Sequence, residues 1–237
     1  MEFYKDDFCR FLLESKALKI GQNPAREDGN YVLKSGRISP FFMNMGDLNN
    51  GDQLLRLGLA YAEAINAHFK DNFDVIFGPA YKGIPLAVAT AMQFSNMFKH
   101  SVSYCANRKE IKDHGDSGII LGHKPMDKER VVIVEDVTTS GKSINETVPI
   151  LKSLADVEIV GLVVSFDRME YGSDKSKTAL EEISEAYNIP VYAIVSMRDI
   201  MEFLRENRRL PAGTRRSIEE YYKEYGAESI HMEKWKW

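Results

Sequence analysis

The stretch from Glu135 to Ser143 has residue types suited to binding a sugar phosphate. It reads Glu-Asp-Val-Thr-Thr-Ser-Gly-Lys-Ser and comes directly after an apolar run, so two adjacent carboxylates precede small hydroxyl residues and a glycine. Small residues let backbone N–H groups approach an anion, and the N-terminus of a following helix favours phosphate. The carboxylates would repel phosphate but accept hydrogen bonds from sugar hydroxyls. The segment therefore predicts a ribose-phosphate site rather than a helix start with two solvated acids.

Other well-known motifs are absent from the sequence. Gly141–Ser143 resembles the end of a P-loop, but Asp136 stands where that motif needs glycine. Gly78 and Gly83 have P-loop spacing, but no lysine and hydroxyl follow them. No two glycines are two positions apart, so the dinucleotide fingerprint is missing, and neither Gly-x-Ser-x-Gly nor His-Glu-x-x-His occurs. The five histidines are scattered and predict no metal cluster.

Four further segments carry groups that could act on a ligand or could be ordinary structure. Gly78–Gly83 is a tight turn that can aim N–H groups and a lysine at an anion. Asn107–Gly122 is a long polar stretch, typical of a lid or a solvated loop. Arg168 comes after an apolar run, where its guanidinium could pair with a carboxylate. Phe41 and Phe42 could be plain core.

Five short apolar runs predict the strands that position these segments. Each is β-branched or aromatic and is bounded by turn residues or a charge. They are Phe73–Phe77, Ser101–Cys105, Val131–Val134, Ile159–Val164 and Val191–Val195. Helical patterns in the gaps are Ile84–Met97, Ser143–Leu154 and Ser176–Tyr187. The alternation predicts an α/β fold with a doubly wound, parallel five-stranded sheet, flanked by helices, whose ligands bind beyond the carboxyl ends of the strands.

The sequence predicts a single domain over residues 1–237, with a hood at about 1–50, a core at about 70–205 and a tail at 211–237. Outside the core we expect a helix over Phe3–Leu18, a β-ribbon over Tyr31–Met45 and a helix over Asp52–Phe69 that Asn50 caps. In the tail we expect a charged helix over Ser217–Tyr225, followed by exposed Trp235 and Trp237. We find no repeat, linker or low-complexity tract in the sequence.

Composition excludes several classes of protein. With 237 residues, 44% of them hydrophobic, the chain can bury a core and is neither disordered nor fibrous. The formal charge of −4 argues against a nucleic-acid partner. The charge-free stretch Gly83–Phe98 is shorter than the ~20 residues of a membrane helix, and the N-terminus lacks a signal-peptide pattern. Two cysteines make no disulfide framework, so we expect a cytoplasmic protein without a membrane partner.

The segment Glu135–Ser143 resembles the phosphoribosyl pyrophosphate motif of the type I phosphoribosyltransferases. Further segments in the expected order narrow the resemblance to the orotate phosphoribosyltransferases and span about residues 3 to 205. They are Leu33–Phe42, Gly78–Gly83, Arg108–Gly115 and Phe166–Arg168. Glu135 departs from the Asp-Asp pair common in relatives by one additional methylene group.

The resemblance implies a reaction in pyrimidine biosynthesis. Orotate and phosphoribosyl pyrophosphate would give orotidine 5′-monophosphate and pyrophosphate, by displacement at the anomeric carbon through an oxocarbenium-like transition state. No protein nucleophile is needed, so catalysis would come from positioning and electrostatics. The resemblance further implies Mg²⁺ held mainly by substrate oxygens, a cis peptide between Ala80 and Tyr81, and a homodimer in which the cationic lid of one subunit completes its partner's site.

The resemblance also assigns roles to individual residues, and it names none of them as a direct metal ligand. The expected catalytic residues are Lys82, Arg108, Lys109, Lys112, His114 and Asp136. The residues expected to bind phosphoribosyl pyrophosphate are Lys34, Tyr81, Lys82, Glu135, Asp136, Val137, Thr138, Thr139, Ser140, Gly141, Lys142 and Ser143. The residues expected to select orotate are Lys34, Phe41, Phe42, Thr139 and Arg168.

Two alternatives share the ribose-phosphate segment. A purine phosphoribosyltransferase is disfavoured by the Lys-Ser-Gly-Arg sequence at 34–37 and the Arg-Lys-Glu sequence at 108–110. A non-catalytic regulator that senses the sugar phosphate would have little use for a cationic lid.

Overall fold

The computed structural model describes residues 3–21, 23–112, 118–136, 142–210 and 213–235. Its helices are α1 (Phe3–Glu14), α2 (Gly51–Phe69), α3 (Gly83–Phe98), α4 (Lys142–Leu154), α5 (Ala179–Tyr187), α6 (Met197–Glu206) and α7 (Thr214–Tyr225). Its strands are β1 (Leu18–Ile20), β2 (Tyr31–Val32), β3 (Ile38–Ser39), β4 (Phe41–Met43), β5 (Val75–Phe77), β6 (Ser103–Lys112), β7 (Gly118–Gly122), β8 (Arg130–Glu135), β9 (Glu158–Asp167) and β10 (Val191–Ser196).

The central sheet has the strand order β10-β9-β8-β5-β6-β7 among the described residues. The first five strands of that order are parallel, which confirms the predicted parallel sheet. The sheet has one strand more than predicted, because β7 pairs antiparallel with β6. The stretch from Asn107, expected to be a loop, is therefore strand as far as Lys112 and again from Gly118. Backbone pairing at the edge of a sheet tolerates polar side chains, so the composition of this stretch concealed its structure.

Helices cover both faces of the sheet, as the near-continuous apolar strands predicted. In β8, Val132 and Val134 face a core that includes residues of α2, α3 and α6. Val131 and Ile133 face a second core with residues of α4 and α5. Successive side chains of a strand point to opposite faces, so one buried strand serves two hydrophobic layers.

The hood is made of short strands rather than one continuous ribbon. Helix α1 ends earlier than predicted, because Leu18 opens β1 and pairs with Met43 of β4. Only β2 and β3 form the expected hairpin within Tyr31–Met45. The predicted cap of α2 is confirmed, since the Asn50 side chain accepts from the Gln53 N–H and Gln53 bonds back to the Asn50 backbone.

Helix α6 has no counterpart in the elements predicted from the sequence. Its N-terminus is marked by a capping box in which the Ser196 side chain accepts from the Asp199 N–H and the Asp199 side chain accepts from Ser196 in return. Ile200, Phe203 and Leu204 are buried on one side of it. The Ser-x-x-Asp sequence and this apolar spacing are the signals that could have identified the helix.

The C-terminal tail packs against the domain, with a helix that begins three residues before the predicted Ser217. Trp235, expected to be exposed, is buried. Its Nε1–H donates to the Ile230 carbonyl at 3.2 Å, and its ring centroid lies 5.2 Å from that of Tyr222. The expectation was wrong because a charged helix still has one apolar side, and the last residues of the tail fold back to cover it. Trp237 lies outside the described residues.

No described helix is long and apolar enough to cross a membrane.

Candidate active site

A cavity of about 420 Å³ lies beyond the carboxyl ends of the parallel strands. Lys82 comes between β5 and α3, Asp136 follows β8 and Arg168 follows β9, so three strand ends contribute to its wall. The hairpin of the hood contributes Lys34, and β4 contributes Phe42. The fold thus brings together five of the residues selected from the sequence, from positions more than a hundred residues apart.

Glu135, the last residue of β8, and Asp136, which follows it, are both buried but differ in what they face. Asp136 lines the cavity, and its Oδ2 accepts from Lys82 Nζ at 2.7 Å. Glu135 Oε1 accepts from the Asp136 backbone N–H at 3.0 Å. The Tyr61 hydroxyl donates to the Glu135 carbonyl at 2.6 Å, and Ser165 donates to the Asp136 carbonyl at 2.5 Å. These bonds fix the main chain, so the carboxylate of Asp136 is the one presented to a ligand.

The hydroxyl-rich segment after this acid pair falls largely outside the described residues. Val137, Thr138, Thr139, Ser140 and Gly141 all belong to that undescribed part. Lys142 and Ser143 begin the first turn of α4, and their side chains are not described. Their assigned contacts with a phosphate stay predictions.

The turn between β5 and α3 requires glycine at both of its ends. A Cβ added to Gly78 would lie 1.9 Å from the carbonyl oxygen of Gly83, far inside any contact distance. The peptide bond between Ala80 and Tyr81 is cis, as the resemblance implied. The Ala80 N–H donates to Asn107 Oδ1 at 2.9 Å, which ties the turn to β6.

Two cationic residues of β6, Arg108 and Lys109, have different surroundings. Lys109 Nζ lies 5.0 Å from the centroid of the Tyr81 ring, and Tyr81 itself is largely exposed beside the cavity. Arg108, the residue before Lys109, has a buried Nε without a hydrogen-bond partner within the described part of the chain. The Lys112 side chain and His114 lie outside the described part.

Arg168 is buried, and the Nε–Nη2 edge of its guanidinium is already bound within the protein. Its Nε and Nη2 approach Glu170 Oε1 at 2.6 and 2.5 Å. Its Nη2 also donates to Ser39 Oγ at 3.2 Å, and its Cζ lies 4.2 Å above the ring centroid of Phe41. A bidentate pair through the Nε–Nη2 edge is therefore no longer open to a ligand. A carboxylate entering the cavity can meet only the remaining Nη hydrogens.

The Glu170 carboxylate binds several side chains that the sequence alone did not connect with one another. Arg37 Nη1 contacts its Oε2 at 2.8 Å, and the Tyr221 hydroxyl donates to its Oε1 at 2.7 Å. These bonds join residues 133 and 51 positions apart, so no local pattern could have indicated them. Two guanidiniums against one carboxylate leave a net charge of +1 at this end of the cavity, which suits an anionic ligand.

Phe41 and Phe42 lie on opposite sides of β4. Phe41 is fully buried beneath Arg168 and is not in the cavity wall, whereas Phe42 lines the cavity. Alternation along the strand explains why only one of the two rings can meet a ligand directly. Phe42 also lines a second cavity of about 820 Å³ and stacks on Tyr31 with 5.5 Å between ring centroids. That second cavity presents Lys16 and Arg209.

Burial shifts the titration of groups next to the cavity. It raises the pKa of Asp167, at the end of β9, to about 6, although the Met169 N–H donates to this carboxylate at 2.7 Å and opposes the shift. It also raises the pKa of Tyr61 and of Tyr221, with the nearby acids Asp136 and Glu170 acting in the same direction. Both hydroxyls therefore keep their protons and remain donors at neutral pH.

Comparison with known proteins gives a consistent picture. A sequence model described as the phosphoribosyl transferase domain matches residues 44–193. An orotate phosphoribosyltransferase of Clostridium botulinum is 49% identical over 233 residues, with 96% of this chain and 100% of the relative covered. One from Agathobacter rectalis is 50% identical, with 95% and 99% covered. The crystal structure of the Francisella tularensis orotate phosphoribosyltransferase matches with a TM-score of 0.78 at 35% identity, covering 93% of this chain and 99% of that one.

Proposed function

This chain belongs to the orotate phosphoribosyltransferases, and from that membership we propose how its residues divide the work of the reaction. The reaction transfers ribose 5-phosphate from phosphoribosyl pyrophosphate to orotate, giving orotidine 5′-monophosphate and pyrophosphate. The observation that supports this division is that Lys82 and Asp136 line the same cavity as Phe42 and Arg168. The ribose-pyrophosphate and the pyrimidine can then meet between these groups.

At the ribose end, Asp136 accepts hydrogen bonds from the ribose hydroxyls and favours the positive charge that develops on the sugar. Lys82, now paired with that carboxylate at 2.7 Å, moves to the departing pyrophosphate when the hydroxyls take its place. Once there, its ammonium group stabilises the negative charge that develops as the bond to pyrophosphate breaks. The residues from Thr138 to Ser143 hold the 5′-phosphate.

At the pyrimidine end, the net charge of +1 from Arg37, Arg168 and Glu170 complements the carboxylate of orotate. Phe42 supplies a ring face for the base. Phe41 does not meet the base but supports the Arg168 guanidinium, which lies over its ring. Lys34 stands at the exposed edge of the cavity, where it can reach either substrate. A neutral purine would leave the positive charge at this end without a partner.

Mg²⁺ is the metal that this arrangement fits. Among the described residues, no group of three His, Cys, Asp or Glu side chains could hold a metal ion. Of the acid pair Glu135 and Asp136, it is Asp136 that lines the cavity. Mg²⁺ is commonly bound through one or two carboxylates together with substrate phosphates, which agrees with such a donor set. When bound, the ion neutralises charge on the pyrophosphate, and substrate oxygens supply most of its ligands.

The protein acts as a homodimer in which the segment after Lys109 reaches the partner's cavity. Its support is the resemblance, together with the cations Arg108 and Lys109, which are carried on the edge hairpin and not in the wall of the chain's own cavity. Two free and buried thiols, Cys9 and Cys105, agree with a cytoplasmic location.

The test is consumption of orotate, followed by its loss of absorbance with phosphoribosyl pyrophosphate and Mg²⁺ present. Hypoxanthine, adenine and uracil serve as controls, and uracil matters most because it is the same ring without the carboxylate. We expect turnover of orotate and little of the other three bases. Uptake of a purine with none of orotate would overturn the assignment of the pyrimidine end.

A further inference from the structure

Helix α7 reaches the wall of the active-site cavity from the far end of the chain. The sequence model of the domain matches only residues 44–193, so it indicates nothing about the tail that follows Leu210. Two consecutive tyrosines of this helix, Tyr221 and Tyr222, are buried and each contacts the surroundings of Arg168. The tail is thus connected to the residue assigned to the orotate carboxylate.

Tyr221 acts on the side chain of Arg168 through a shared acid. Its hydroxyl donates to Glu170 Oε1 at 2.7 Å, the same oxygen that receives Nε and Nη2 of Arg168. The hydroxyl oxygen is also 3.4 Å from Nη2. Its raised pKa keeps the proton on the hydroxyl. The Glu170 carboxylate is therefore held in one orientation, and it orients the guanidinium in turn.

Tyr222 acts on the main chain of the same residue. Its hydroxyl donates to the Arg168 carbonyl at 2.5 Å. The Tyr222 ring is held by Trp235, whose own N–H is bonded to Ile230. Backbone and side chain of Arg168 are therefore both tied to the tail, by two hydroxyls from consecutive residues of α7.

We propose that α7 is a positioning element for orotate recognition, in which Tyr221 through Glu170, and Tyr222 through the main chain, hold Arg168 so that its free Nη hydrogens face the substrate carboxylate. An arginine fixed before binding loses less side-chain freedom when the carboxylate arrives, so the benefit should be specific to orotate. The inference rests on the proposed contact between Arg168 and orotate.

The main variant is Tyr221→Phe, which removes the hydroxyl and keeps the ring that packs edge-on against Phe41 at 5.6 Å. Tyr222→Phe is the second variant and keeps the test available should the first not fold. The matched control is Tyr187→Phe, which removes a hydroxyl bonded to Asn145 on the other face of the sheet. Unfolding midpoints establish that each variant is folded before kinetics are compared.

Tyr221→Phe should raise KM for orotate about three- to tenfold, the size of one hydrogen bond's net contribution. KM for phosphoribosyl pyrophosphate should stay within about twofold of the starting enzyme, and the Tyr187→Phe control should match that enzyme for both substrates. Arg168→Gln should raise KM for orotate further. In that background Tyr221→Phe should have no additional effect, because the residue acts through Arg168.

The possible failures are distinguishable. If Arg168→Gln leaves KM for orotate unchanged, the proposed role of Arg168 is wrong and the inference falls with it. If Arg168→Gln raises that KM but neither tyrosine variant does, the role of Arg168 stands and positioning by α7 is rejected. Equal weakening of both substrates, or full additivity with Arg168→Gln, also rejects positioning, because a merely structural defect acts in that way.

Discussion

At the scale of single residues, Asp167 occupies a place that disfavours its charge. Burial raises its pKa from 3.8 to about 6, the Met169 N–H opposes the shift, and the acids Glu181, Glu170 and Asp199 add to it. A carboxyl group with a raised pKa binds more protons in the folded state than in the unfolded state between those two values. The free energy of unfolding therefore falls as pH rises from about 4 to about 6, and the loss persists above that range.

Replacing Asp167 with asparagine should remove this loss. The amide side chain keeps an oxygen that can accept from the Met169 N–H, but it carries no charge. We expect Asp167→Asn to raise the free energy of unfolding at neutral pH by about 3 kcal/mol. Urea unfolding at several pH values from about 4 to about 8 checks this, because the difference between the two proteins should shrink as pH falls and vanish near the lower end. A difference independent of pH would contradict the assignment.

The chemistry of the ribose end could be predicted from residue types, and much of the pyrimidine end could not. Asp136 and Lys82 belong to short local patterns with an evident use for a sugar phosphate. Glu170 and Tyr221 have meaning only through bonds to distant residues, and a lone glutamate or tyrosine is uninformative in a sequence. Whether Phe41 or Phe42 meets the cavity depends on the phase of a three-residue strand, and hydrophobicity does not report that phase.

At the scale of elements, the turn from Gly78 to Gly83 depends on two backbone segments touching. The carbonyl of Gly83 occupies the space that a side chain at position 78 would need, and a Cβ on Gly83 would in turn lie 2.6 Å from the Gly78 carbonyl carbon. The N–H of Gly78 donates to the Cys105 carbonyl, so the turn cannot move away without breaking its connection to β6. The start of α3 is thereby held at the edge of the cavity.

Gly78→Ala should accordingly destabilise the protein by about 3 kcal/mol and weaken phosphoribosyl pyrophosphate more than orotate. The matched control is Gly51→Ala at the start of α2, where a Cβ would meet nothing within 4 Å. We expect that control to leave the stability unchanged or to raise it by less than about 1 kcal/mol. Thermal unfolding and the two KM values measure the outcome. Equal behaviour of the two alanine variants would show that the close approach is unimportant.

Elements that are buried on both faces were predictable, and exposed elements were not. Strands β5, β8 and β9 bury apolar residues against helices on both faces of the sheet, and this composition is visible in the sequence. The hairpin of β6 and β7 is held by backbone pairing at an edge, so its polar side chains predicted a loop. Trp235 looked exposed because its partners, Tyr222 and Ile230, lie in short turns and a charged helix with weak patterns of their own.

At the scale of the whole molecule, the proposed dimer makes a prediction that two inactive proteins can test together. If the lid acts on the partner, Lys112→Ala disables the neighbour's site and Asp136→Ala disables the chain's own. A mixed dimer then has one site with neither change and one with both. Random mixing makes about half of the dimers mixed, so roughly a quarter of the original activity should return from two nearly inactive parents.

The experiment is to unfold and refold the two variants together and to assay orotate consumption. Each variant refolded alone is the control for residual activity, and size measurements confirm that dimers form. Recovery well above either parent supports a lid that acts in trans. If both variants refold and mix but no activity returns, the lid serves its own subunit.

Phe42 belongs to the walls of two cavities, and this position matters for the design of inhibitors. Phe42 lines the substrate cavity and also the larger cavity that presents Lys16 and Arg209. A compound with an orotate-like head that displaces Phe42 from Tyr31 would open a passage between them, and an anionic extension could then pair with the two cations. Its affinity should fall on Arg209→Ala while KM for orotate does not change. Such a compound would be distinguished from the natural substrate by a part of the protein that orotate never touches.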